Sequence, residues 1–319
     1  MAVYTQVSAE ALSAFLARFD HGDLVSVKGI AEGVENSNYL VDTTRGRFVL
    51  TLYEKRVDAG DLPFFFSMID HLAERDLPVP RALPDRDGTV IQELEGRPAC
   101  LIEFLSGVSV SHPTRAQAFA AGGAMGRMHA ALADFPFTRT NSMGVDSWRP
   151  LFERCGRDLD AIAPGLYDEV GFALDETLAA WPSHLPIGTI HADLFPDNVL
   201  MRGDAVTGLI DFYFACTDIR AYDLAVMHSA WSFDAAGTQA DWSLGSALIE
   251  GYRLSVDLRA DELAGLSTLA RAACIRFLLS RAWDWLNTPA DAMVTRKDPL
   301  AYLRRLNAYR ARSGPLHIA

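Results

Sequence analysis

Ile190-His191-Ala192-Asp193-Leu194-Phe195-Pro196-Asp197-Asn198-Val199-Leu200-Met201, followed closely by Gly208-Leu209-Ile210-Asp211-Phe212, is the stretch that decides how this chain is read. Residues 199–201 and 208–210 are short apolar runs around Arg202-Gly203-Asp204, a turn sequence, and the pattern predicts a β-hairpin. Asn198 then sits just before the first strand and Asp211 just after the second. An amide oxygen and a carboxylate at neighbouring strand ends suit Mg²⁺, which takes a few protein oxygens and completes its shell with phosphate and water. Asp193 lies upstream on the same loop, placed to take a proton from a hydroxyl.

The arrangement resembles the catalytic core of the kinases. The spacing Asp-x-x-x-x-Asn from Asp193 to Asn198 matches their catalytic loop, and Asp211-Phe212 falls where their metal-binding Asp-Phe-Gly would fall. His191 stands before Asp193 with no Arg between, which resembles the aminoglycoside phosphotransferase and choline kinase branch rather than the protein kinases. The resemblance implies an α+β, two-lobed protein-kinase-like fold, with a small, mostly β N-lobe over residues 1–105 for the nucleotide. A larger, mostly helical lobe over 106–319 would carry catalysis and substrate.

The bulk properties agree. A chain of 319 residues, half of them hydrophobic, can bury a sizeable core and divide into two bodies. With 29 Lys and Arg against 41 Asp and Glu, the net charge of −12 argues against nucleic acid as a partner, since phosphate binding needs a basic face. Cys100, Cys155, Cys216 and Cys274 are widely separated, without a Cys-x-x-Cys pair, and read as buried thiols in a reducing compartment. The N-terminus carries no basic-then-apolar export signal, and no apolar run is expected to reach spanning length; residues 116–133 are interrupted by Arg127 and His129. The expectation is a cytoplasmic protein that engages no membrane.

Along the chain, residues 8–19 predict an amphipathic helix capped by Ser8, with Leu12, Phe15, Leu16 and Phe19 on one face. Residues 24–30 and 38–42 predict strands. In the kinase reading the segment between them covers the nucleotide phosphates: Gly33 permits close approach of the backbone, and Asn36, Ser37 and Asn38 offer donors. The next strand, 47–53, has Thr51 where kinases keep a phosphate-binding Lys; Lys55, four residues on, has the same facing parity. The helix 62–75, with Phe65, Met68, Ile69 and Leu72 inward, has Phe66 where that Lys would find its Glu. Both halves of the ion pair are absent together, which spares the fold an unpaired buried charge. Strands are predicted at 89–93 and 97–105. The second runs into a hinge at Gly107, where backbone groups near Glu103 and Leu105 could meet the adenine edge. Beyond it, residues 114–133 predict a helix with small residues for close packing and a core or capping His129. Residues 139–148 predict an irregular connection, and 151–181 two helical patterns broken at Pro164-Gly165. From Ala221 onward the pattern is helical.

Three stretches narrow the resemblance: Gly33-Val34-Glu35-Asn36-Ser37-Asn38-Tyr39, Phe48-Val49-Leu50-Thr51-Leu52-Tyr53-Glu54-Lys55, and Ile210-Asp211-Phe212-Tyr213-Phe214-Ala215-Cys216 with Tyr222-Asp223-Leu224-Ala225. They resemble the bacterial homoserine kinases of the aminoglycoside phosphotransferase type. That likeness extends to Leu279-Ser280-Arg281 and Lys297-Asp298-Pro299, and in that group the missing strand Lys is usual. It implies phosphorylation of the L-homoserine hydroxyl by ATP, with Asp193 as base, His191 beside it, and Asn198 and Asp211 on Mg²⁺. Asp218, Tyr222, Asp223 and Arg281 are candidates for the substrate's ammonium and carboxylate; for Asp223, bonding to loop amides is an equal alternative. Choline or an aminoglycoside as substrate, and a regulatory pseudokinase, remain open at this stage. Trp231, Trp283 and Trp285 could build a cage for choline.

Overall fold

Ser8 begins the first helix, α1 (Ala9–Leu16), its hydroxyl accepting from the Ala11 amide at 3.1 Å. In the computed structural model, which describes residues 4–30, 36–54, 58–288 and 296–317, the chain forms two units that part after Ser106.

In the first unit, α1 lies on a sheet of β1 (Leu24–Gly29), β2 (Ser37–Thr43), β3 (Gly46–Leu52), β4 (Ala82–Leu83), β5 (Gln92–Leu94) and β6 (Arg97–Glu103). Its main path runs β1-β2-β3-β6-β4, antiparallel throughout, with β5 paired to β6. Every second residue of β2 is buried, so Tyr39 and Val41 meet Leu12, Phe15, Leu16 and Phe19 of the helical segment and Leu50, Leu52, Ala99 and Leu101 of the sheet in one core. The expected inward face of α2 (Leu62–Ala73) is buried as well. Where kinases place an ion pair between this strand and this helix, Tyr53 and Phe66 meet edge to face, ring centroids 6.4 Å apart. The strand expected at 89–93 starts only at Gln92. Asp85 takes the preceding residues into a turn, accepting from the Asp87 and Thr89 amides at 3.0 and 2.9 Å and from the Gln92 amide group at 2.8 Å.

The second unit contains α3 (Arg115–Ala131), α4 (Val145–Cys155), α5 (Leu166–Ala179), β7 (Ile187–Ile190), β8 (Val199–Arg202), β9 (Ala205–Leu209) and β10 (Cys216–Ile219). It continues with α6 (Arg220–Trp231), α7 (Trp242–Tyr252), α8 (Ala260–Asn287) and α9 (Leu300–Ala311). Thr114 and Gln117 close a capping box on α3. Helix α4 starts at Val145, inside the connection read as irregular. Gly144 ends that connection, accepting from the Ser147 hydroxyl, and Trp148 donates to the Met143 carbonyl at 2.9 Å. Small residues let α3 and α7 touch backbone to backbone. A Cβ on Gly122 would lie 2.0 Å from the Leu248 carbonyl oxygen, and one on Gly251 2.0 Å from that of Phe119. At 28 residues, α8 is long and apolar enough to cross a bilayer, against the expectation that no run reaches that length. Here it packs against α4, α5, α6 and α9 and buries most of its surface among them.

Candidate active site

The hairpin expected from the opening stretch forms: β8 and β9 pair antiparallel, Val199 opposite Leu209, around Gly203, whose φ of 62° is the left-handed conformation the turn requires. One further bond, from the Ile210 amide to the Asn198 carbonyl at 3.1 Å, extends the ladder past the strand ends and sets Asn198 beside Asp211. Upstream, β7 delivers the chain to His191 while paired with β10, Thr189 opposite Thr217. Ala192 and Asp211 both hold left-handed backbone, at φ 64° and 65°, which non-glycine residues adopt only where surroundings enforce it.

Around Asp193 the enforcing contacts are visible. The Asn198 side-chain nitrogen donates to the Asp193 carbonyl at 2.7 Å and to its carboxylate at 3.3 Å. That fixes the Asn198 amide with its oxygen as the remaining acceptor. Burial pushes the Asp193 carboxyl up to about 8; the charge of Arg276 opposes the rise, and the like charge of Asp211 adds to it. Asp211 is exposed. Among the described residues no three His, Cys, Asp or Glu side chains converge as a preformed metal cage. Asn198 and Asp211 still fit a cation of the Mg²⁺ kind, because such an ion needs one or two protein oxygens when phosphate supplies the rest.

The loop is held from behind by Asp223, which is completely buried. One carboxylate oxygen accepts from the His191 amide at 2.8 Å and lies 2.9 Å from the His129 ring; the other accepts from the Ala192 amide at 2.8 Å. His129 is anchored in turn by the Tyr252 hydroxyl at 2.8 Å. These bonds hold the Asp223 carboxyl below its ordinary range despite burial. Asp223 is therefore corrected from substrate contact to scaffold of the loop. Tyr222 is corrected too: α6 is buried from Ala221 onward, and the Tyr222 ring packs against Trp148 and Trp181 at centroid distances of 6.2 and 5.7 Å. His191 lies inside as well, one ring nitrogen 3.0 Å from the Ile210 carbonyl and the other 3.3 Å from the Asp193 amide. Burial lowers its pKa, so it reads as a clamp between the two strand ends rather than a base.

One residue carries weight that the sequence reading did not assign. Arg276 of α8, 3% exposed, donates to the Ala192 carbonyl at 2.6 Å, with the Phe214 and Phe277 rings 5.4 and 4.2 Å from its guanidinium carbon. Its only sequence signal is an Arg in an otherwise apolar helical run.

Of the residues expected around the nucleotide, Gly33 and Lys55 lie outside the described residues. Ser37 is fully buried, accepting from the Tyr4 and Thr5 amides and donating to Glu54 at 2.8 Å, so its hydroxyl is corrected from phosphate donor to a tie within the first unit. Asn36 accepts from the Glu54 amide at 3.4 Å, and the Asn38 oxygen accepts from the Thr51 hydroxyl at 2.7 Å. The Glu103 amide donates to the Arg81 carbonyl at 2.9 Å, which removes it as an adenine donor and leaves the chain around Leu105. Asp218 ties β10 to its neighbours, accepting from Asn141 and from the Ile219 amide, both at 2.6 Å. Trp231 donates to the Leu194 carbonyl, while Trp283 and Trp285 lie under Arg154 and Arg296, so the three form no cage.

The family model described as the phosphotransferase enzyme family matches residues 26–253. The chain belongs to the phosphotransferase enzyme family. Within it, the chain is 53% identical over 310 residues to a homoserine kinase of Acidiphilium cryptum, covering 96% of each chain. To a homoserine kinase of Zymomonas mobilis it is 51% identical, covering 98% of each. Among solved structures it is similar to an amicoumacin kinase in complex with AMP-PNP, Ca²⁺ and Ami, at a TM-score of 0.71 and 15% identity, covering 98% of this phosphotransferase and 96% of that chain. A choline kinase from Cryptosporidium parvum superposes at a TM-score of 0.66 with 14% identity, covering 95% and 94%. The fold is thus the protein-kinase-like fold of this family, β-sheet in the N-terminal part and mostly helical beyond it.

Proposed function

We propose that this phosphotransferase transfers phosphate from ATP to the side-chain hydroxyl of L-homoserine. The observation that carries the reading is its half-identical match, along nearly the whole chain, to relatives named homoserine kinase. The site supports it chemically. Asp193 orients the substrate hydroxyl and accepts its proton, and Asn198 fixes that carboxylate through its side-chain nitrogen. The Asn198 oxygen and the Asp211 carboxylate would hold Mg²⁺, which would supply positive charge against that of the phosphate. Asp223, His129 and Arg276 keep the loop in its left-handed turn at Ala192, so positioning precedes substrate binding. Asn36 and Asn38 serve the phosphates and the backbone near Leu105 the adenine.

The test is ADP release from the purified chain with Mg²⁺, ATP and one of L-homoserine, choline, kanamycin or 3-amino-1-propanol. L-Homoserine should turn over far faster than the others, because a site built for both charges of an amino acid leaves a buried group unpaired when one is missing. Choline turning over as well as L-homoserine would overturn the substrate assignment.

A further inference from the structure

Arg276, Arg281 and Lys297 of the second unit all lie within electrostatic range of Asp193. Among the described residues none of the three forms an ion pair with a carboxylate. Arg276 is accounted for by the Ala192 carbonyl. Arg281 is not. It is half-buried, its guanidinium carbon lies 4.6 Å from the centre of the Tyr302 ring, and among the described residues its one hydrogen bond goes to the Asp298 carbonyl at a long 3.3 Å. Burial draws its pKa below the usual guanidinium range.

Packing ties this cation to the catalytic loop. Phe195, two residues after Asp193, packs on Phe277 at 4.8 Å; Phe277 stacks on Tyr302 at 5.0 Å; Tyr302 carries Arg281. Arg305, bonded to the Ser229 and Asp234 carbonyls, lies 4.5 Å from the Tyr302 centroid and fixes the ring further. The Asp298 carbonyl that Arg281 reaches belongs to the residue after Lys297, so the two cations share one loop.

We propose that Arg281 and Lys297 form the subsite for the substrate's carboxylate, beside the hydroxyl held by Asp193. This rests on the assignment of L-homoserine as substrate. The carboxylate carbon of that molecule is four bonds from the hydroxyl oxygen, so an anion site within the electrostatic reach of Asp193 is where this group must go. A guanidinium presents paired donors that match a carboxylate's two oxygens, and Lys297, exposed, adds charge without geometric demand. Arg276 has a separate, positioning role through the loop carbonyl.

Steady-state kinetics of Arg281→Gln, Arg281→Lys and Lys297→Gln, with L-homoserine and with 3-amino-1-propanol, its analogue without the carboxylate, test the assignment. Arg281→Gln should raise KM for L-homoserine by about 10²-fold, and Lys297→Gln by roughly tenfold. Arg281→Lys should fall between wild type and Arg281→Gln. KM for ATP and turnover of 3-amino-1-propanol should stay within about threefold of wild type in all three. Parallel losses with both acceptors would reduce Arg281 to a structural role, and a raised KM for ATP would give the anion site to the nucleotide; either overturns the proposal. Should Arg281→Gln fail to fold, the exposed Lys297 still decides, since an unchanged KM for L-homoserine in Lys297→Gln also overturns it. Wild-type protein that releases no ADP with L-homoserine fails at the earlier step, the substrate assignment itself.

Discussion

Asp193 and Asp223 are both aspartates within a short stretch of chain, and burial does opposite things to them. Asp193 has, among the described residues, one side-chain partner in Asn198 and is raised; Asp223 accepts from two amides beside a histidine and is lowered. The first suits a group that exchanges a proton, the second a fixed anion. Asp193→Asn should keep the fold and lower turnover by roughly 10²–10⁴-fold, the range for a positioned acid or base. Near wild-type rates would remove it from the mechanism. Asp223→Ala leaves two buried amides and a buried imidazole without an acceptor, so it should cost about 3 kcal/mol or more in urea unfolding as well as turnover. Undiminished stability would mean that water replaces the carboxylate. At this scale the sequence was readable where the residues are neighbours in the chain. The hairpin that sets Asn198 and Asp211 at neighbouring strand ends, with Asp193 upstream, was legible from spacing. The roles of Arg276 and Asp223 depend on contacts 84 and about 30 positions away, which no local pattern encodes. Ser37 misled for a related reason, since a hydroxyl at the end of a polar segment between two strands reads as a phosphate donor until its burial is seen.

Elements were legible where one face is apolar at a regular interval. The buried positions of α1 and α2 are those the periodicity named, because packing on a single core demands that interval. Short strands and helix starts were less so: Asp85 converts part of an apolar run into a turn, and Gly144 starts α4 inside a stretch that reads as loop. The length of α8 was missed since it is apolar nearly all round, as a helix packed on several neighbours must be, and such a helix shows little periodicity. The glycines between α3 and α7 give this scale its prediction. Gly251→Ala gains about 1 kcal/mol in helix propensity, yet its methyl would meet the Phe119 carbonyl at 2.0 Å, in backbone that cannot rotate aside. The net result should be a loss of about 2 kcal/mol or more in urea unfolding, with Gly122→Ala behaving alike. A gain in stability from either would show that the helices stand further apart than the structure has them.

For the molecule as a whole, composition bounded the class, and the motif carried the fold through the resemblance it supports. What composition could not give is how the folded chain responds to acid, since that depends on which titratable groups are sealed inside. His228 of α6 is buried, one ring nitrogen 2.6 Å from the Tyr309 hydroxyl and the other facing Gly245, where even a methyl group would not fit. Burial pushes its pKa down to about 3, with the charge of Arg312 adding to the fall. In the unfolded chain the same imidazole titrates near 6.5, so between those values the unfolded state binds the more protons. Stability present above pH 6.5 is therefore lost as the pH falls toward 3, at up to about 1.4 kcal/mol per unit for this residue. His191, also lowered by burial, acts in the same direction. Carboxylates held low, such as Asp223 and Asp85, lose their contribution only in more acidic solution, below the ordinary carboxylate pKa. The Asp193 carboxyl, raised to about 8, acts in the opposite direction, since the folded state holds its proton where the unfolded state has lost it, so urea unfolding at pH 7 and pH 5 isolates the histidines in the Asp193→Asn background. In that background the protein should lose about 2 kcal/mol or more between the two. His228→Gln, which can still bond Tyr309 but cannot titrate, should be less stable at pH 7 and lose distinctly less on acidification. An Asp193→Asn protein equally stable at both values would mean that His228 is protonated, or open to water, in the folded state.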